Sequence, residues 1–208
     1  DLISHFINMA GIRDGMRLLD AGCGVCGPSI RIAQMVDVII DAVTISTTQA
    51  RLARQRISDA GLLDRITVHE CSFLGPERFD RIFFLESLCH SGKPHAVAKE
   101  CLALLRKEGR VYVKDFYRRP FDGEQKEWSD VVIKRVEQEF RLFVRNIDEI
   151  CIAMEKAGLE MEYCTPLGVD YNFRISEQFA KTNSINLYDG GEIINWGEWY
   201  ECSFRKSR

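Results

Sequence analysis

"LLDAGCGVCGPS", Leu18 to Ser29, is the stretch whose reading decides the fold. It grows out of "MRLLDAG", an apolar run that reads as a buried strand, and it leads into "PSIRIAQM", which reads as a helix. Gly22, Gly24 and Gly27 spell G-x-G-x-x-G. A strand, a glycine turn and a helix in that order open a dinucleotide-binding unit, and Asp37 and Asp41 lie near where a ribose-binding acid falls. Cys23 and Cys26 overlay a C-x-x-C on the same residues, the pattern of a disulfide oxidoreductase, with Cys26 close to a helix start that would stabilise a thiolate.

Outward from the loop, strand and helix patterns alternate. "VDVIIDAVTIS" is a second β-branched run. "STTQARLARQRISDAG" is a helix with Ser46 as N-cap, Gln49 completing an S-x-x-Q capping box, and Gly61 as its stop. "RITVHEC" and "FDRIFFLES" read as the third and fourth strands. "PHAVAKECLALLRKEG" has helical spacing from Pro94 to Gly109, and "GRVYVKDFY" is the fifth strand. Such alternation predicts an α/β domain, a parallel sheet with helices on both faces. After Pro120 the pattern changes. "DGEQKEWSDVVIKRVEQEFRLF" reads as an inserted amphipathic helix, "NIDEICIAMEKAG" as a capped helix ending at Gly158, and "EMEYCTPLGVDY" and "EWYECSF" as an antiparallel edge pair.

The composition bounds the function. At 208 residues and 46% hydrophobic content the chain can bury a full core, and one domain is expected. A net charge of -3 gives no electrostatic reason to expect nucleic acid. No apolar run is long enough for stable membrane insertion, and there is no signal-peptide pattern. The chain opens on Asp1 without a methionine, which leaves room for a preceding segment. Eight cysteines without framework spacing point to a reduced, cytoplasmic protein in which most thiols act as small apolar side chains.

Asp20 separates the readings of the loop. A carboxylate is the wrong charge beside a pyrophosphate. It suits a cofactor that carries an ammonium and a sulfonium and no phosphate, which is S-adenosylmethionine. A thioredoxin-like redox protein is shorter and lacks the repeated βα units. Together "LLDAGCG", "AVTIS-TTQ", "ECSF" and "LLRKEGRVYV" resemble the ordered motifs of class I S-adenosylmethionine-dependent methyltransferases, over Met16 to about Tyr117. The resemblance implies a Rossmann-like fold with a seven-stranded, mostly parallel sheet. It also implies a core over 16–117, a helical insertion over about 120–143 and C-terminal strands and helices over 144–208. By the same resemblance Asp20 anchors the methionine end of the cofactor, while Gly22, Cys23 and Gly24 let it approach the backbone. Thr44, Ile45 and Gln49 meet its ribose or adenine, and Ser72 and Phe73 take adenine-side positions. Many relatives carry Asp where this chain has Ser72. Leu85 closes the cofactor side at the end of the fourth strand.

The acceptor is read from "FFLESLCHSGKP", Phe83 to Pro94. Its L-E-x-x-C-H is similar to a motif of sterol side-chain methyltransferases, and its Glu86 to the glutamate of geranyl diphosphate C-methyltransferases. Methylating an alkene leaves positive charge on the acceptor, which calls for nearby negative charge or aromatic faces and then a base. Glu86 can serve both needs, with His90 beside it. Tyr117, Trp128, Phe140 and Phe143 are candidate aromatic walls, and Trp128 falls where the geranyl diphosphate enzymes carry a tryptophan. Lys93, Arg118 and Arg119 follow the fourth and fifth strands and are candidate ligands of a diphosphate. These residues imply a small isoprenoid substrate, foremost geranyl or isopentenyl diphosphate, with Mg²⁺ carried on the diphosphate. A terpenoid-bearing or other small natural product methylated on carbon, oxygen or nitrogen is the alternative. The exposed insertion offers a lid or a surface for homo-oligomer formation.

Overall fold

The structure, a computed structural model, describes residues 2–72, 78–168 and 196–207. Its strands are β1 (Arg17–Ala21), β2 (Ile39–Thr44), β3 (Ile66–Glu70), β4 (Phe79–Leu85), β5 (Leu105–Arg118), β6 (Leu159–Pro166) and β7 (Gly197–Lys206). Its helices are α1 (Leu2–Met9), α2 (Gly27–Met35), α3 (Thr47–Asp59), α4 (Pro94–Leu104), α5 (Gly123–Phe140) and α6 (Ile147–Ala157). The strands form one sheet in the order β3-β2-β1-β4-β5-β7-β6. β3 through β5 pair in parallel, and β7 runs antiparallel between β5 and β6. This is the mostly parallel, seven-stranded sheet expected, with the C-terminal pair as its antiparallel edge.

Residue alternation along the central strands divides the core into two faces. Leu19, Phe84, Val111 and Val113 point to one side, where α4 and α6 contribute Ala98, Cys101, Ile150 and Met154. Leu18, Phe83 and Tyr112 point to the other, where α1, α2 and α3 contribute Phe6, Ile32, Ala53 and Ile57. Helix α1 has no counterpart in the sequence reading. Phe6 packs against Phe83 and Tyr112 at ring separations of 5.1 and 4.8 Å. Arg81 then ties the helix end down, donating to the carbonyls of Ala10 (2.6 Å) and Gly11 (3.1 Å).

Several local expectations change in detail. Helix α4 stops at Leu104, five residues before Gly109, and β5 begins at Leu105. The strand bulges between Leu105 and Arg110, where Glu108 has φ 63°. A Cβ on Gly109 would lie 2.9 Å from the Arg106 carbonyl oxygen, so this glycine permits the bulge instead of ending a helix. Ser46 does cap α3, accepting from the Gln49 amide at 3.3 Å. The reciprocal half of the box is absent: Gln49 Oε1 accepts from the Thr44 hydroxyl (2.9 Å), and the Ser46 amide donates to Thr44 Oγ1 (3.2 Å). Helix α6 has the full capping box, from Asn146 and Glu149, and ends at Gly158 with φ 102°. The antiparallel register sets Cys164 opposite Cys202, and the two form a disulfide, a departure from a wholly reduced set; the other six cysteines are free.

Candidate active site

The parallel strands end along one edge, where the crevices of open α/β sheets form. Here a cavity of about 670 Å³ is lined by the turn after β1, the ends of β2, β3 and β4, and Gln49 of α3. Asp20, Gly22, Cys23, Gly24, Thr44, Ile45, Gln49, Ser72, Leu85, Glu86 and His90 all line it. Phe73 lies outside the described residues.

The turn after β1 is built by backbone bonds to its neighbour strand. The amides of Gly22 and Cys23 both donate to the Val43 carbonyl, at 3.1 and 2.9 Å. Gly22 has φ 102°, and a Cβ there would come within 2.5 Å of the Ser87 side chain. Ser87 in turn donates its hydroxyl to the Ala21 carbonyl (2.6 Å), so the turns after β1 and β4 are latched together. Gly24, at φ 54°, has nothing within 4 Å of where a Cβ would stand, leaving the open floor a ligand needs. Asp20 is buried, and Ser29 donates to it at 2.5 Å. Burial pushes its carboxyl up to about 7, against a smaller lowering by the Ser29 bond. Ile45 lines the same cavity with 81% of its surface exposed, an apolar shelf with no protein cover. A buried carboxylate, an open glycine floor and a bare apolar shelf beside the Thr44–Gln49 pair fit the ammonium, backbone approach and adenine of S-adenosylmethionine.

The two cysteines of the loop lack the signature of a redox pair. Cys26 is wholly buried at the start of α2 with φ 59°, and both thiols are free. Cys23 is pushed far above the ordinary thiol range, by its bond with Cys26, by burial and by the Asp20 charge. A poised nucleophilic thiol needs the opposite shift.

Glu86 follows the last residue of β4 and has φ 59°, a left-handed backbone that costs an L-residue about 1 kcal/mol or more. Lys114 of β5 holds it twice. The Glu86 amide donates to the Lys114 carbonyl (2.8 Å), and Lys114 Nζ donates to Glu86 Oε1 (2.7 Å). The Lys114 ammonium also lies 4.3 Å from the centre of the Trp199 ring. Beyond Glu86 a second cavity of about 310 Å³ opens against α1, lined by Ile3, Phe6, Tyr112 and Leu167 among others. Pro28, Leu85 and Glu86 belong to both cavities and form the wall between them. One cavity thus carries the cofactor-like features and the next is mainly apolar, with a carboxylate at the junction.

The turn carrying His90 is fixed from β5. Buried Asp115 accepts from the amides of Cys89 (3.0 Å) and Phe116 (2.9 Å), and burial raises its carboxyl to about 6 against these bonds. His90 Nδ1 donates to the carbonyl of Arg141 (3.2 Å), a residue at the end of α5 that also lines the first cavity. Lys114, Ser87, Asp115 and Arg141 were not singled out in the sequence. The polar pair Lys114-Asp115 inside an apolar strand was the available signal for two of them.

Other candidates lie elsewhere. Tyr117 is buried beneath the turn, with its ring edge-on to Tyr200 at 5.9 Å. Trp128 packs with Phe116 against the cluster that seats α5, which includes Val132, Val136 and Trp196. Arg118 pairs with Asp130, and Arg119 lies 3.5 Å from Glu198. Lys93 is exposed at the start of α4, and Phe140 and Phe143 are exposed around the end of α5. None of these lines either cavity. Among the described residues, no group of three carboxylates or histidines converges to hold a metal. Nor, among them, is any helix long and apolar enough to cross a membrane.

The sheet order, the glycine turn and the buried Asp20 define a class I S-adenosylmethionine-dependent methyltransferase fold. The chain belongs to the mycolic acid cyclopropane synthetase family, whose model matches residues 2–184. It is 31% identical over 165 residues to 27-O-demethylrifamycin SV methyltransferase of Amycolatopsis mediterranei (strain S699), covering 77% of this chain and 60% of that protein. It is 28% identical over 166 residues to sterol methyltransferase-like 1 of Botryococcus braunii, covering 77% and 43%. The chain therefore spans about half the length of the curated relatives it matches. Among solved structures it is similar to geranyl diphosphate C-methyltransferase from Streptomyces coelicolor A3(2), with a TM-score of 0.75 at 16% identity, over 98% of this chain and 77% of that one.

Proposed function

We propose that the protein transfers a methyl group from S-adenosylmethionine to a carbon–carbon double bond of an isoprenoid acceptor, with Glu86 as the catalytic carboxylate. The observation that carries this reading is the position of Glu86 in the wall shared by the two cavities. When bound, S-adenosylmethionine supplies an electrophilic methyl group on a sulfonium. Asp20 would hold its ammonium end, and Thr44, Gln49 and Ile45 its nucleoside end. The acceptor's apolar body would lie against Phe6, Ile3 and Leu167. As the alkene forms its bond to the methyl carbon, the methyl–sulfur bond would break with its electron pair left on sulfur as a neutral thioether, and positive charge grows on the acceptor. The Glu86 carboxylate stabilises that charge and then takes a proton from an adjacent carbon, restoring a double bond. Lys114 fixes Oε1 and leaves Oε2 for this work.

Geranyl and isopentenyl diphosphates are the acceptors this reading places first. Arg118 and Arg119 are already engaged with carboxylates. Among the described residues, Lys114 lines the second cavity and Arg141 the first, and these are the cations that would meet a charged end. A magnesium ion would be carried by the diphosphate itself. A second reading, transfer to a hydroxyl of a small natural product, draws on the relative named for a demethylated rifamycin. Glu86→Gln distinguishes them. Alkene methylation should fall by at least ~10³-fold, because charge stabilisation and proton removal are both lost. Hydroxyl methylation, driven mostly by proximity, should fall by about tenfold.

A further inference from the structure

Away from both cavities, three sulfur atoms from three elements meet at the edge of the sheet. Cys151 of α6, Cys164 of β6 and Cys202 of β7 place their Sγ atoms within 4.8 Å of one another. Cys164 and Cys202 are register partners with Cα atoms 4.1 Å apart, and they are disulfide-bonded. Cys151 is a free thiol. Cys202 is fully buried, whereas Cys151 and Cys164 are half-buried and reachable from solvent. The setting is otherwise apolar, with Ile150, Met154 and Tyr200 in the same cluster. A structural zinc site closes with four donors, and among the described residues no histidine or carboxylate joins these three sulfurs. A disulfide with a third thiol inside the same cluster is the arrangement for exchange.

The geometry points to a three-cysteine thiol–disulfide exchange site, formed by Cys151, Cys164 and Cys202, whose small-molecule partner is a disulfide of the glutathione class. The pair forms when the Cys164 thiolate attacks the external disulfide and expels one thiolate. The Cys202 thiolate then displaces the second. Two protein thiols lose two electrons and two protons, and the external disulfide gains them to become two thiols. Exchange follows when the Cys151 thiolate attacks Cys164 Sγ. The Cys151–Cys164 bond forms, the Cys164–Cys202 bond breaks, and Cys202 leaves as a thiolate that takes up the proton Cys151 released. One pairing staples β6 to β7; the other staples α6 to β6. Burial, with the charges of Asp148 and Glu155, holds the Cys151 thiol above its ordinary value, so exchange is slow until the cluster is opened.

The test is peptide mapping by mass spectrometry after equilibration with oxidised and reduced glutathione, acid quench and alkylation. Cys202→Ala should form a Cys151–Cys164 disulfide in more than half of the molecules. Two alkylated thiols, or bound glutathione without an internal bond, would overturn the proposal. Cys151→Ser, at a half-buried position, provides the second arm. It should keep the Cys164–Cys202 bond but lose it to reduced glutathione at least threefold more slowly than the unaltered protein. An unchanged rate would overturn the proposal, as would one zinc ion held per reduced chain.

Discussion

Asp20 offers the sharpest quantitative consequence of the site. Burial lifts its carboxyl from an ordinary 3.8 to about 7, a gap worth about 4 kcal/mol between its two protonation states. The sign follows from the direction of the shift. The folded, ligand-free protein holds a proton on Asp20 between pH 4 and 7 that the unfolded chain has released. Asp20 therefore favours folding least above pH 7. A ligand ammonium reverses this preference, because it binds the carboxylate. Affinity should be full above pH 7 and fall as pH drops through that value, reaching roughly thirtyfold weaker at pH 5.5. Titration calorimetry with S-adenosylhomocysteine from pH 5.5 to 8 measures the slope. Asp20→Asn is the control. It should bind at least ~30-fold more weakly at pH 8, since one partner of a buried charge pair is gone, and its affinity should be flat with pH. Wild-type affinity constant within twofold across the range, or an equal slope in Asp20→Asn, would refute the reasoning.

Lys114→Met should lower turnover by roughly fivefold, about 1 kcal/mol for a half-exposed ion pair, while leaving S-adenosylhomocysteine affinity unchanged; steady-state kinetics and calorimetry separate the two. Gly22→Ala must displace Ser87 and strain a positive-φ turn, so denaturant unfolding should show a loss of about 1–3 kcal/mol together with weakened cofactor binding. Cys26→Ser should lower stability by about 1 kcal/mol through a buried hydroxyl, with cofactor affinity within about twofold; a large loss of affinity would revive the redox reading of the loop.

The features legible in the sequence are those written in consecutive residues. The β1 turn, the alternating strands and the caps of α3 and α6 each depend on a local pattern. The pairings that shape the site join residues far apart. Lys114 meets Glu86 because β4 and β5 run in parallel register, Leu85 beside Lys114, across a sequence separation of 28. Arg118 and Arg119 read as phosphate ligands on the strength of strand order. Their partners, Asp130 on α5 and Glu198 on β7, become visible only once those elements fold back. Trp128 shows the same limit. An aromatic on an amphipathic helix fits a lid and a packed face equally well, and here it packs. Gln49 moves the other way, released from its expected cap to face Thr44 at the cavity. The Cys164–Cys202 pairing depends on the antiparallel register of the edge strands, which a spacing of 38 residues does not disclose.

The most direct test of the central claim is methyl transfer from labelled S-adenosylmethionine to isopentenyl, geranyl and farnesyl diphosphates, with and without Mg²⁺, beside geraniol and a sterol. The account predicts label in a new carbon–carbon bond of an isoprenoid acceptor, and none above background with Glu86→Gln. Label that appeared only on oxygen, or transfer to an alkene that survived Glu86→Gln undiminished, would contradict it.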